Sequence, residues 1–162
     1  MSAILRAERP MDAAKIREII TAAFGRPDEA DLVDALRAGG DLTHSLVTEE
    51  KGEIVGHIAL SRLKSPAQSL ALAPVSVAPD RQGEGIGGAL IRAAIARARD
   101  DGDALIFVLG DPAYYTRFGF TTETATRFDC AYAGPYFMAM ELGEAKTAPA
   151  PVIYAEAFGE LG

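Results

Sequence analysis

Gln82-Gly83-Glu84-Gly85-Ile86-Gly87-Gly88-Ala89-Leu90 follows an apolar run, Ser69 to Val77, and opens a segment whose Ile86, Leu90, Ala94 and Ala98 recur at helical spacing. A strand, a glycine-rich turn and a helix start are therefore expected in succession. Such a junction suits an anion, because the first N–H groups of a helix lack internal acceptors and its dipole is positive at that end. Gly83, Gly85 and Gly87 carry no side chain to keep a phosphate from the backbone, and they permit unusual backbone angles. The same glycines would also serve a tight turn and close helix packing alone.

Two familiar phosphate motifs fit poorly. The nucleoside triphosphate loop needs Gly-Lys-Ser or Gly-Lys-Thr at the end of its turn, and neither follows here. Gly83, Gly85 and Gly88 do satisfy the dinucleotide pattern, and Asp103 stands ~20 residues beyond Gly83. That acid should end the second strand beside the ribose, whereas Asp103 precedes its strand.

Working outward, residues 3 to 8 read as a strand, and Pro10 opens a helix whose Ala13, Ile16, Ile19, Ile20 and Ala23 share one face to about Phe24. Asp28 is expected to cap a second helix carrying Leu32, Val33 and Leu36, which Gly39-Gly40 ends. Ser45 to Glu49 and Ile54 to Leu63 form a hairpin around Glu50-Lys51-Gly52-Glu53. In the next strand, Ser69 to Val77, Pro74 cannot donate a ladder bond, so distortion is expected there. Ala104 to Leu109 is apolar enough for a strand covered on both faces. A short helical piece, 113 to 118, and strands over 127 to 131 and 136 to 142 follow. Residues 145 to 151 read as an extended linker, after which Val152 to Phe158 adds an edge strand or docks on the surface. The order gives an α/β (α+β) class: a mixed, mostly antiparallel central sheet of about six to seven strands with helices on both faces. Residues 1 to 143 are expected to form one domain, with 144 to 162 a linker and edge strand of the same unit.

Composition excludes several functions. At 49% hydrophobic and 24% charged, the chain has the balance of a globular domain. A net charge of −7 opposes nucleic-acid binding and mildly favours a cationic substrate. The apolar stretch Leu70 to Val77 is far shorter than the ~20 residues that span a bilayer, so no membrane partner is expected. The charged N-terminus lacks a signal-peptide core, and the single cysteine, Cys130, suits a reducing compartment, so a cytoplasmic protein is expected.

Gln82-Gly83-Glu84-Gly85-Ile86-Gly87 resembles the Gln/Arg-x-x-Gly-x-Gly/Ala signature of the GNAT superfamily of acyl-CoA N-acyltransferases. Tyr115-Thr116-Arg117-Phe118-Gly119-Phe120 is similar to that family's Tyr-x-x-x-Gly-Phe, and one strand separates the two motifs. The resemblance implies acetyl-CoA or coenzyme A as co-substrate, with its diphosphate on the main chain of Gln82, Gly83, Glu84, Gly85, Ile86, Gly87 and Gly88. It also implies a pantetheine arm beside Val75, Ser76 and Val77, paired through their backbone like an added strand. Tyr115 is implied as general acid or donor to the departing thiolate. Unperturbed values make full transfer from tyrosine to a thiolate uphill by about 2 kcal/mol, which favours hydrogen-bond donation. Tyr115 could instead pack with Phe118 and Phe120, and Tyr114 reads as a core residue.

The implied reaction is N-acetyl transfer to a small-molecule or peptide amine by direct attack, with no metal. Of His44, His57, Ser61 and Asp111, His57 is the best candidate base, though a structural histidine explains it as well. Two departures from the family pattern stand out: Gly110-Asp111-Pro112 replaces a longer segment containing an asparagine, and Glu84 is acidic where relatives are often basic, so its carboxylate must face solvent. Lacking an obvious base, the chain would also suit a non-catalytic acyl-CoA-binding or sensing module. The sequence admits a homodimer through the late strands or the tail.

Overall fold

The computed structural model describes residues 3–144 and 146–159. Six strands form one sheet in chain order: β1 (Ile4–Ala7), β2 (Leu42–Glu50), β3 (Glu53–Arg62), β4 (Ser69–Val77), β5 (Leu105–Leu109) and β6 (Phe137–Glu141). Every neighbouring pair is antiparallel except β4 and β5, which helix α3 (Ile86–Asp100) joins as a parallel crossover. The expected mixed, mostly antiparallel sheet is thus present.

Alternation along the strands sends side chains to two cores. On one face Leu46, Ile58, Leu60, Leu70, Leu72, Ile106 and Val108 meet Leu90, Ile91 and Ala94 of α3. On the other, Val47 and Ala59 meet Ile16, Ile19 and Ile20 of α1 (Ala13–Phe24) and Val33 of α2 (Asp28–Ala38). Gly25, in the left-handed region at φ 72°, ends α1. Asp28 does not cap α2 as expected: Pro27 holds the N-cap position and Asp28 is the first helical residue. Asp28, Glu29 and Asp31 in that first turn still complement the helix dipole.

Two further expectations are corrected. Residues 127 to 131 form no strand; they follow a short helix, Thr122–Ala125, capped by Thr121, and make a single parallel bridge from Asp129 to Pro151. The sheet edge they would have used is taken, because Thr121 already bridges Ala139 of β6. Phe128 enters the core instead, edge-on to Phe107. Val152 to Phe158 adds no ladder strand either. Ile153 bridges Ser65 alone, the chain then turns into a short helix, Glu156–Gly159, and Val152, Ala155 and Ala157 are buried, so this segment docks on the surface. Ala145, within the expected linker, lies outside the described residues.

Distortion at Pro74 is present and has a direction. Ile58 faces Val75 but Leu60 faces Leu72, so β4 carries one residue more than β3 across this step, a bulge at Ala73-Pro74. On the opposite edge, the ladder between β4 and β5 stops at Ala71 and Phe107. β4 continues alone to Val77 while β5 stays with β6 to Leu109, so the two parallel strands part.

Gly56 of β3 lets α3 approach. A Cβ there would lie 2.7 Å from Ile86 Cγ2 and 3.0 Å from Leu90 Cδ1, so the start of the helix rests on bare backbone. Gly56→Val is expected to lower unfolding free energy by roughly 1–3 kcal/mol, as overpacking does. Denaturant titration checks this, and an unchanged midpoint would show that α3 does not depend on the contact.

Candidate active site

The turn between β4 and α3 is held open by backbone conformation. Gly83 and Gly85 take φ of 84° and 88°, and a Cβ on either would point into open space. Their glycine identity is set by conformation, not by crowding from the protein. Gly85 is the N-cap and offers no side-chain oxygen, so the N–H groups of Ile86, Gly87 and Gly88 have no acceptor within the helix. Gln82 donates from Nε2 to the carbonyl of Val77 at 3.3 Å, tying the turn to the end of β4.

A cavity of about 430 Å³ lies over these donors, lined by Gln82, Gly83, Gly85, Ile86, Gly87 and Gly88 together with three arginines. Arg81 is committed elsewhere, at 2.8 Å from Glu50 and 3.0 Å from Glu84. Glu84 does not line the cavity; the ion pair turns its carboxylate away and offsets its charge. Arg92 lies over the Phe118 ring and Arg117 over the Tyr114 ring, at 5.0 and 4.8 Å. Among the described residues no carboxylate lies within ion-pair distance of either, so their charge is available to an anion. Sequence spacing put Arg92 only on the side away from the core stripe and gave Arg117 no role.

A second hollow continues from the first along β4, lined by Val75, Ser76 and Val77, the end of α1 at Ala23 and Phe24, and Gln82, Gly87 and Tyr114. Tyr114, expected in the core, is half-buried: it packs against the α3 side of the core and also lines the hollow, its hydroxyl 3.6 Å from where a Cβ of Gly87 would be. Tyr115 ends the helical turn Pro112–Tyr115 that follows β5, and unlike Tyr114 it lines neither hollow. Its ring lies against Gly110, where a Cβ would collide with it, and edge-on to Tyr114 and Phe120. Burial pushes its phenol up to about 12, so it holds its proton throughout the neutral range. The short Gly110-Asp111-Pro112 segment serves this placement: Asp111 Oδ1 accepts from Ala113 N at 3.0 Å and caps the turn carrying both tyrosines.

None of the candidate bases reaches this region as a base. His57 is fully buried on β3, and burial, opposed by Glu8, pulls its pKa down to about 4. Ser45 donates to Glu8 at 2.5 Å, so it accepts from His57 Nε2–H at 2.8 Å and leaves Nδ1 unprotonated without a partner. Glu8, despite burial, is held below its usual range by hydrogen bonds from Arg37 and Ser45. His44 pairs with Asp101 at the far end of α3, Ser61 is buried, and Asp111 is occupied as a cap.

Residues 13–120 match the Acetyltransferase (GNAT) family. The chain belongs to that family. It is 41% identical over 133 residues to the uncharacterized N-acetyltransferase YjhQ of Escherichia coli K12, covering 77% of this chain and 71% of that protein. Identity with the uncharacterized N-acetyltransferase YhbS of the same strain is 33% over 135 residues, 81% of each chain. Among solved structures, a GNAT family acetyltransferase from Brucella melitensis in complex with acetyl-CoA superposes with a TM-score of 0.84 at 41% identity, covering 97% of this chain and 98% of that one. The YhbS structure in complex with CoA gives 0.89 at 30% identity over 99% and 93% of the two chains. Among the described residues, no helix is long and apolar enough to cross a membrane.

The His57 cluster makes a pH prediction. Its folded pKa lies below the ordinary histidine value, so the unfolded chain binds the proton first and stability falls as pH drops from about 6.5 to about 4. Roughly 2–3 kcal/mol should be lost over that window in urea titrations, and His57→Asn should flatten the slope. Equal slopes for the two proteins would show that His57 protonates freely when folded.

Proposed function

We propose that this GNAT protein transfers an acetyl group from acetyl-CoA to a primary amine by direct attack within a ternary complex. The observation that carries the proposal is the continuity of three features: unpaired helix N–H groups flanked by Arg92 and Arg117, a hollow along Val75 to Val77, and the gap between β4 and β5. Each suits one part of acetyl-CoA. The N-terminus of α3 and its arginines suit the diphosphate. The edge of β4 beyond Ala71, which no strand covers, suits the amides of pantetheine. The gap between the strands suits the thioester.

Chemistry at the thioester needs one bond made and one broken. The amine nitrogen attacks the acetyl carbon, a main-chain N–H near Val75 stabilises charge on the carbonyl oxygen, and the C–S bond breaks with its electron pair going to sulfur. Tyr115 donates a hydrogen bond to that sulfur, a role suited to a phenol that keeps its proton. The amine's proton leaves to water, since His57, the best sequence candidate, is enclosed and weakly basic. That enclosure also favours one competing account, in which the protein binds acyl-CoA without turning it over.

Acetyl-CoA-dependent thiol release over a panel of amines separates the two. Turnover is expected, and Tyr115→Phe should lower kcat by roughly 10²-fold with little change in the KM for acetyl-CoA. Binding of acetyl-CoA without release on any amine would favour the binding module, and an unchanged kcat in the variant would remove Tyr115 from the chemistry.

A further inference from the structure

On the face of the sheet opposite α3, the same parting of β4 and β5 opens into a cavity of about 460 Å³. Ala71 to Ala73 of β4 and Phe107 to Leu109 of β5 form its floor, so it meets the gap from the side away from the α3 core. Tyr132, Tyr154 and Phe158 wall it, supplied by the loop after Phe128 and by the docked tail. The three rings form a continuous aromatic edge, with centroids 5.5 Å apart for Tyr132 and Tyr154 and 5.0 Å for Tyr154 and Phe158. Val152, Ala155 and Ala157, buried beneath, fix the tail that carries two of them.

Charge on this wall is scarce. Among the described residues Arg26 is the only ionic one lining the cavity, and it is already paired, with Nε at 3.0 Å and Nη2 at 2.5 Å from the two carboxylate oxygens of Glu29. Among the described residues no carboxylate lines it. Several of the protein's exposed large apolar side chains gather at this end of the sheet instead: Leu109 and Tyr132 are each 47% exposed on the cavity, and Phe24, at 42%, stands at the neighbouring hollow along β4.

Ligand chemistry follows from that lining. A polyamine or an aminoglycoside brings several ammonium groups, and each that leaves water needs a carboxylate partner that the described lining does not supply. An aromatic or branched alkyl body gains from leaving water there, and a single ammonium is attracted by the faces of the rings on its way in. Resting on the acetyl-transfer reading above, we infer that the acceptor is a small monoamine with an aromatic or bulky apolar body, and that Tyr132, Tyr154 and Phe158 set this preference. The overall negative charge draws amines in general, and the aromatic wall selects among them.

Thiol-release kinetics with saturating acetyl-CoA test the inference, using 2-phenylethylamine and tryptamine against propylamine, spermidine and kanamycin. The aryl amines should exceed each of the others by ~10-fold or more in kcat/KM. Tyr132→Ala should lower kcat/KM for the aryl amines by ~10-fold through KM, leaving propylamine and the KM for acetyl-CoA unchanged. A preference for spermidine or kanamycin, equal rates for propylamine and the aryl amines, or no effect of Tyr132→Ala would each overturn it. Calorimetry with acetyl-CoA run beside the panel separates the two levels: heat of binding with the wrong amine preference sinks the substrate class alone, whereas no heat sinks the acetyl-transfer reading beneath it.

Discussion

β4 cannot serve two neighbours along its whole length. It pairs with β3 from Leu70 to Val77, but the extra residue at Ala73-Pro74 bends it, and its ladder with β5 ends at Ala71. Proline adds to this because it has no N–H to offer a partner. Past that point a strand edge stands open inside the molecule, a feature that proteins normally cover. All three hollows border this opening or its continuation at the turn: one over the start of α3, one along Val75 to Val77 and one on the opposite face of the sheet. The surrounding cores keep it open. Leu90, Ile91 and Ala94 fix α3 beneath one side, and Phe107, Phe128 and Phe137 fix β5 and β6 beneath the other.

An acidic protein offering an anion site needs local arrangement to overcome its overall field. Here the donors are main-chain groups, which carry no net charge and cannot be neutralised by a neighbouring carboxylate. The side-chain cations divide into two kinds. Arg81 is held by Glu50 and Glu84 and stiffens the turn, while Arg92 and Arg117 rest on aromatic faces with no carboxylate in ion-pair distance among the described residues. Acidic Glu84 is therefore compatible with a phosphate site, since Arg81, three residues before it, pairs with its carboxylate. The buried polar cluster of Glu8, Arg37, Ser45 and His57 is a separate matter: it ties β1, β2, β3 and α2 together and lines none of these three hollows.

Much of the turn was legible because its signals are local. Glycines between an apolar strand and an amphipathic helix restrict what the backbone there can do, and Pro74 marks the distortion of its own strand. Gly56 gave no such sign, since a glycine within a strand does not say which helix will lie upon it. Tyr114 and Tyr115 are adjacent, and the motif separated their roles by position alone; which ring faces the hollow depends on Gly87 and Gly110, distant in sequence. Residues 127 to 131 alternate like a strand, yet the edge they needed was occupied by Thr121. The aromatic wall was illegible for a stronger reason: Tyr132, Tyr154 and Phe158 come from a loop and a tail with no shared pattern, and only the docking of that tail brings them together.

The account stands on a diphosphate held by the start of α3, and calorimetry with two donors isolates that contact. Acetyl-CoA and acetylpantetheine share the thioester and the arm, but the second lacks the nucleotide and its diphosphate. Acetyl-CoA should bind with a measurable heat and acetylpantetheine at least ~100-fold more weakly, a gap of about 2.7 kcal/mol. Equal affinity for the two, or no heat from acetyl-CoA with folded protein, would contradict it.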